Sequence, residues 1–269
     1  MEKIDLLKIS TKAPEELSKK KIVLETEQLL KKIAVLQENL FAEGKQSLLV
    51  VLQALDAGGK DGTVRNVFGL LNPQGVTVKS FKKPTEEELS HDFLWRIHQH
   101  TPAKGMVQIF NRSHYEDVLV TRVLGHIDST TAYKRYNYIN TFEQILEDNG
   151  TKILKFYLHI SEEEQSERFL ERLNDPTKYW KFRQEDLETA KYWPKYREYF
   201  SEIFEKCSPE RPWHIIPSDQ KWYRNYLVAK ILHDTLEEMD FQYPQLEVSV
   251  EEIEIARDKL SAKLKAWKK

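Results

Sequence analysis

Residues 47 to 54, Ser-Leu-Leu-Val-Val-Leu-Gln-Ala, form a nearly unbroken apolar run with no charge and no alternation. A strand with one wet face alternates apolar and polar residues. One that does not alternate is covered on both faces, as in a parallel sheet held between layers of helices. The run leads straight into Leu55-Asp-Ala-Gly-Gly-Lys-Asp-Gly-Thr63, and a helical pattern follows to about Leu71. Strand, glycine-rich turn, lysine and helix in this order predict an α/β fold with a phosphate-binding loop at the carboxyl end of its first strand.

Against the template G-x-x-x-x-G-K-[ST], Gly59 and Lys60 stand where expected, Ala54 replaces the first glycine and Asp61 replaces the hydroxyl residue. Gly58, Gly59 and Gly62 are expected to turn the backbone with positive φ and aim N–H groups inward, with the helix beginning near Gly62. Lys60 adds a full charge for a transferred phosphoryl group. Thr63, two places beyond the template position, offers a hydroxyl, and Arg65 one turn into the helix offers a further phosphate-binding cation. Asp56 and Asp61 would repel a bare phosphate, so they point to a metal-bridged one with Mg²⁺ held by these two carboxylates.

The 269 residues are read as one α/β domain, with an N-terminal helical extension over 1–45 and a C-terminal helix over 250–269. A net charge of −2 disfavours a nucleic-acid binder that relies on bulk electrostatics. No apolar run is long enough to span a bilayer and the first residues lack a signal-peptide core, so the expected compartment is the cytoplasm, without membrane attachment. The single cysteine, Cys207, excludes an internal disulfide and a cysteine-based zinc cluster. His91, His98 and His100 have no partners at ligand spacing.

Further strands are expected at Val76–Phe81, Met106–Phe110, Ile153–Ile160 and Trp213–Ile216. Helices alternate with them over 15–41, from Thr85 to His98, 115–124, 131–148, from Ser161, over 178–206, from Ser218 to Glu238, and 251–267. Thr85 with Glu88 and Ser161 with Glu164 have the spacing of capping boxes. Such alternation predicts a three-layer α/β/α sandwich with a mostly parallel sheet, whose ligands bind beyond the carboxyl ends of the strands. That rule brings Asp56–Thr63 and Asn111-Arg112-Ser113 to one edge. Asn111 occupies the place where a carboxylate often holds Mg²⁺, and Arg112 is suited to a bidentate phosphoryl contact. Glu116 and Asp117 read as a helix charge cap. Lys79, Lys82 and Lys83, with a later cluster of cations over 178–197, read as walls of an anion channel.

These residues resemble the polyphosphate kinase 2 family. The likeness runs from about Ser47 to Leu236 and rests on ALDAGGKDGT at 54–63, NPQGV at 72–76, FKKPTEEELSHDFLWRIHQHTP at 81–102 and FNRSHYEDVLVTRV at 110–123. It continues with RLNDPTKYWKF at 172–182, WPKYREYF at 193–200 and PWHIIPSDQKWYRNYLVAKIL at 212–232. The resemblance implies a P-loop kinase fold similar to thymidylate kinase and Mg²⁺-dependent, reversible phosphoryl transfer between inorganic polyphosphate and adenine nucleotides. AMP and ADP are the implied acceptors, with ADP and ATP the products. It matches Asp56, Lys60 and Arg112 to the family's catalytic positions, makes 172–206 a helical lid with Lys181 and Arg183 facing the phosphates, and suggests a homo-oligomer, dimer or tetramer. Asn111 departs from the aspartate of many members. The competing readings are an ATP-dependent nucleoside monophosphate kinase and a non-catalytic polyphosphate- or RNA-binding protein. The missing loop glycine and the extended basic lid disfavour the first; near-neutral charge and the Asp56/Asp61 pair disfavour the second.

Overall fold

The computed structural model describes residues 4–181, 191–207, 210–244 and 248–267. Five strands form one sheet: β1 (Ser47–Ala54), β2 (Val76–Ser80), β3 (Val107–Asn111), β4 (Thr151–His159) and β5 (Trp213–Pro217). Their spatial order is β2-β3-β1-β4-β5, and every pairing is parallel. β1 lies at the centre, and all eight of its residues are buried. Its side chains alternate between two cores, Leu49 and Val51 on one face and Leu48, Val50 and Leu52 on the other, which is why the sequence shows no polar alternation.

The helices are α1 (Lys19–Glu43), α2 (Lys60–Val67), α3 (Glu86–Ser90), α4 (Trp95–His98), α5 (Val120–Val123), α6 (Ser129–Asp148), α7 (Glu162–Leu173), α8 (Trp193–Lys206), α9 (Lys221–Glu238) and α10 (Val250–Trp267). One face of the sheet is covered by α1, α2 and α9, which contribute Ile33, Leu40, Val67, Val228 and Leu232 to its core. α6, α8 and the segment Tyr115–Val123 cover the other, with Tyr136, Ile139, Phe142, Phe200 and Phe204. α1 ends on Gly44 at φ +65°, the left-handed stop that glycine adopts without steric cost. No described helix is long and apolar enough to cross a membrane.

Several expected elements differ. The helix expected from Thr85 to His98 is two short ones. The Thr85–Glu88 capping box forms, but His91 is extended, and Asp92 takes the Leu94 N–H on its side chain and the Trp95 N–H on its backbone carbonyl, restarting the chain in a new turn. The helix expected over 115–124 is a 3₁₀ turn, His114–Asp117, followed by the single turn α5. Ser218 does not cap α9; its hydroxyl donates to Ile216 O at 2.8 Å, and the helix begins after Gln220. Part of the helix expected over 178–206 lies outside the described residues, which show a 3₁₀ turn, Pro176–Lys181, and then α8.

Two features brace the edge that carries the loop. The first residues form a strap over the carboxyl ends of β4 and β5. Leu6 is buried, His159 Nε2 donates to Leu6 O at 3.1 Å, Thr11 Oγ1 donates to Asp219 Oδ2 at 2.7 Å and the Ala13 N–H donates to Gln220 Oε1 at 2.8 Å. On the α6 face, Lys155 stands fully buried in β4 between Ile153 and Tyr157. Its ammonium donates to Glu143 Oε2 at 2.8 Å, Tyr115 OH at 3.0 Å and Cys207 O at 2.6 Å. Burial costs Glu143, yet Lys155 and the His114 bond outweigh it and hold its carboxyl down at about 2. A buried charge without such partners would be strongly destabilising, so this network fixes the 3₁₀ turn that follows Arg112.

Candidate active site

The loop leaves β1 at its carboxyl end, and β3 ends beside it: Leu52 is in register with Asn111, and the Arg112 N–H donates to Leu52 O at 3.0 Å. From β1 the chain crosses toward β2, while from β3 it crosses over to β4. The crevice between β1 and β3 is therefore where the connections diverge, the usual binding position in an open parallel sheet.

α2 begins at Lys60, two residues earlier than the sequence suggests, and Gly59 at φ +100° is its N-cap. Gly59 alone of the three loop glycines has positive φ. Gly58 is required for space, because a Cβ there would stand 2.6 Å from Ala54 Cβ and 2.8 Å from Leu55 O. A Cβ on Gly59 would be driven into the Arg224 guanidinium, 2.9 Å from its Cζ, and one on Gly62 would lie 3.3 Å from Arg224 Nη2. Ala57 and Arg112, at φ +59° and +63°, are left-handed without being glycine. Only Asp240 joins them among the described residues, so backbone strain gathers at this edge.

Lys60 is buried, and its ammonium donates back to Ala54 O at 2.8 Å. Burial, reinforced by Arg112 and opposed by Asp56, Glu116 and Asp61, lowers its pKa to about 8. Arg112 Nη2 donates to Asp56 Oδ1 at 2.8 Å, and Asn111 Nδ2 donates to Asp61 Oδ1 at 2.7 Å. The second contact gives a reason for the amide: an aspartate at 111 would set two carboxylates against each other at hydrogen-bond distance. Asp56, Lys60, Asp61, Asn111 and Arg112 thus meet as expected. The Thr63 hydroxyl is buried and donates to Gly59 O at 3.2 Å, while Arg65 is exposed on the last turn of α2. Lys79 stands on edge strand β2, 5.8 Å from the Phe81 ring centre. Lys181 is exposed against Trp180, and Arg183 lies outside the described residues.

Gln165, Arg168 and Arg224 at this edge escape the sequence reading, and Glu116 does more here than cap a helix. Glu116 lines the same cavity as Asp56 and Arg112, and burial raises its pKa against the pull of Arg112 and Lys60. Asp117 turns away to Arg96, 3.2 Å. Gln165 and Tyr196 line the cavity with Leu119, Val120 and Trp193, giving it an apolar and aromatic wall. Arg168 Nη1 donates to Ala57 O at 2.8 Å. Arg224 is fully buried against the loop, and its guanidinium donates to Asn225 Oδ1; burial and Arg168 lower its pKa to about 10. Its position on the first turn of α9 carries no local sequence signal of a loop contact.

The site is therefore a loop at a helix N-terminus, crowded by Lys60, Arg112, Arg168 and Arg224 and answered by a few carboxylates. Such a place binds polyanions. The sequence model of the family described as Polyphosphate kinase 2 (PPK2) matches residues 16–244. The chain belongs to the polyphosphate kinase 2 family. Among its relatives in the family, the AMP/ADP-polyphosphate phosphotransferase of Meiothermus ruber is 53% identical over 228 residues, covering 84% of this chain and 85% of that protein. The ADP-polyphosphate phosphotransferase of Rhodopseudomonas palustris is 40% identical over 229 residues, 80% of this chain and 79% of that one. The crystal structure of Polyphosphate Kinase 2 from Arthrobacter aurescens TC1 superposes with a TM-score of 0.91 at 40% identity, covering 98% of this chain and 94% of that one. The family's fold thus extends over nearly the whole chain.

Proposed function

We propose that the protein transfers the terminal phosphoryl group of inorganic polyphosphate to AMP and to ADP, reversibly and with Mg²⁺, acting in the cytoplasm as a homo-oligomer. The observation that carries this reading is Arg224, a buried guanidinium that donates to the Asn225 amide and meets no carboxylate among the described residues, set beside Arg168 and the N-terminus of α2. Cations stacked in this way need an anionic ligand of high charge density, and a chain of phosphates supplies one at every unit. The aromatic wall of Trp193 and Tyr196 suits the base of an acceptor nucleotide whose phosphates reach Arg112.

The acceptor's phosphate oxygen is ionised at neutral pH, so it attacks the terminal phosphorus without a general base. One P–O bond forms, the terminal anhydride bond breaks, and the shortened polyphosphate leaves with the electron pair. Lys60 gives up its bonds to Ala54 O and Leu55 O to meet the transferred group, and Arg112 holds donor and acceptor oxygens together. Asp56 and Asp61 fit Mg²⁺ because each has one carboxylate oxygen engaged by a neighbour and a second left for a hard cation that prefers oxygen. Bound there, the metal would offset phosphate charge.

The test is purified protein with Mg²⁺ and AMP or ADP, with and without polyphosphate. Phosphorylation only when polyphosphate is present supports the reading. Transfer from ATP as sole donor to AMP, independent of polyphosphate, would replace it with an ordinary monophosphate kinase, and binding without transfer would leave a non-catalytic anion binder.

A further inference from the structure

One face of α7 grips the phosphate loop from behind. Gln165 and Arg168, three residues apart, reach consecutive loop carbonyls: Gln165 Nε2 donates to Asp56 O at 2.7 Å, and Arg168 Nη1 donates to Ala57 O at 2.8 Å. Both side chains are buried. Between those two carbonyls lies Ala57 at φ +59°, a conformation that costs an alanine free energy and persists only where its surroundings hold it. Arg168 is itself fixed, with Nη2 donating to Ser218 O at 2.6 Å and to Asp219 O at 3.1 Å, and Nε donating to Glu164 Oε1 at 2.7 Å.

Gln165 does more than hold a carbonyl. Its amide is used at both ends, because Oε1 accepts from Trp193 Nε1 at 2.8 Å, and Trp193 is the first residue of α8. A glutamate would lack the donor for Asp56 O, and an aliphatic residue would leave the indole N–H and the carbonyl both unpaired. We propose that Gln165, seconded by Arg168, is a positioning residue. It keeps the Asp56–Ala57 turn in its left-handed form, which presents the Asp56 carboxylate to Arg112 and admits Lys60 to the first turn of α2, and it makes that geometry depend on where α8 lies. The inference rests on the proposed transfer reaction for its kinetic consequence and on the loop alone for its structural one.

The test uses Gln165→Met, close in volume but without hydrogen bonds, Ala57→Gly, and the double variant in the full chain. Gln165→Met should lower kcat by about tenfold to a hundredfold, the range expected when reacting groups are slightly misplaced. KM for the acceptor should stay within about threefold, since uniform binding is untouched. Ala57→Gly alone sets the reference rate, and in the double variant it should restore about tenfold of the kcat lost in Gln165→Met, because glycine takes φ +59° without steric cost. A packing role for Gln165 gives no such rescue. Hydrogen exchange supplies a readout independent of turnover: the Gly58 N–H, bonded to Leu55 O at 3.0 Å, should lose protection in Gln165→Met. Full kcat with unchanged protection in Gln165→Met, or a loss that Ala57→Gly does not repair, would overturn the proposal. If the wild-type protein shows no polyphosphate-dependent transfer, the reaction assignment fails instead, and the exchange measurement still decides the clamp.

Discussion

Lys60 is held close to the pH at which its ammonium loses a proton, and a phosphate ligand would keep that proton on. It is buried between carbonyls with a pKa of about 8, against 10.5 for a free lysine, with burial the leading cause and Arg112 next. Folding therefore expels a proton between pH 8 and 10.5, and stability tied to this group is lowest below pH 8 and recovers as pH rises through that window. Phosphate oxygens reverse the balance by favouring the ammonium. Binding at pH 8.5 should take up a proton, measurable by calorimetry in buffers of different ionisation enthalpy, and affinity should weaken as pH rises beyond about 8. Lys60→Ala should abolish the uptake and lower turnover by about a hundredfold or more while the fold survives. Equal turnover in that variant would remove the lysine from the chemistry. Arg224 makes a complementary case. A buried guanidinium beside another costs stability, so Arg224→Met should hold or raise the melting temperature while raising KM for polyphosphate about tenfold or more. A fall in melting temperature with unchanged KM would mark the arginine as structural only.

At the scale of elements, the joint between β1 and α2 is set by steric fit around Gly58, where a Cβ would crowd Ala54 Cβ and Leu55 O. Gly58→Ala should cost about 1–3 kcal/mol of stability, the range for overpacked sites, and displace Lys60. Adding Ala54→Gly removes one of the two crowded atoms and should recover part of that loss in thermal unfolding; no recovery would place the strain elsewhere. Much of this joint was legible in the chain. The apolar run Ser47–Ala54 is a strand with those bounds, and the pairing of the loop with Asn111 and Arg112 follows from βα alternation. The loop's positive φ was legible only at Gly59, because Ala57 and Arg112 adopt theirs under tertiary constraint and not through residue type. Gln165, Arg168 and Arg224 arrive from helices more than a hundred residues away, on turns that read as ordinary solvated helix until the fold brings them to the loop. The helix expected at 85–98 is broken locally, since the side chain of Asp92 captures the Leu94 N–H and starts a new turn, while the one expected at 115–124 leaves helical dihedrals at Val118 and Leu119, with φ −123° and −108°.

Across the whole molecule, the two ends of the chain stand in opposite relation to the site. The strap seats Leu6 in the core on the α6 face and bonds to His159, Asp219 and Gln220, and Asp219 in turn accepts the Ser161 N–H at the start of α7 through its side chain and an Arg168 bond through its carbonyl. That chain of contacts runs from Thr11 through Asp219 and Arg168 to Ala57 in the phosphate loop. α10, in contrast, buries none of its residues. Deleting residues 1–13 should therefore lower both the melting temperature and kcat, because it removes buried Leu6 from the core and frees the Asp219 carboxylate that braces α7. Deleting 248–269 should leave kcat and melting temperature close to those of the full chain, since none of the described residues there is buried. The pair is read together by thermal unfolding and steady-state turnover. Equal sensitivity at both ends would mean that α10 supports the catalytic fold through contacts beyond this single chain, and that the strap is only one of two braces on the site.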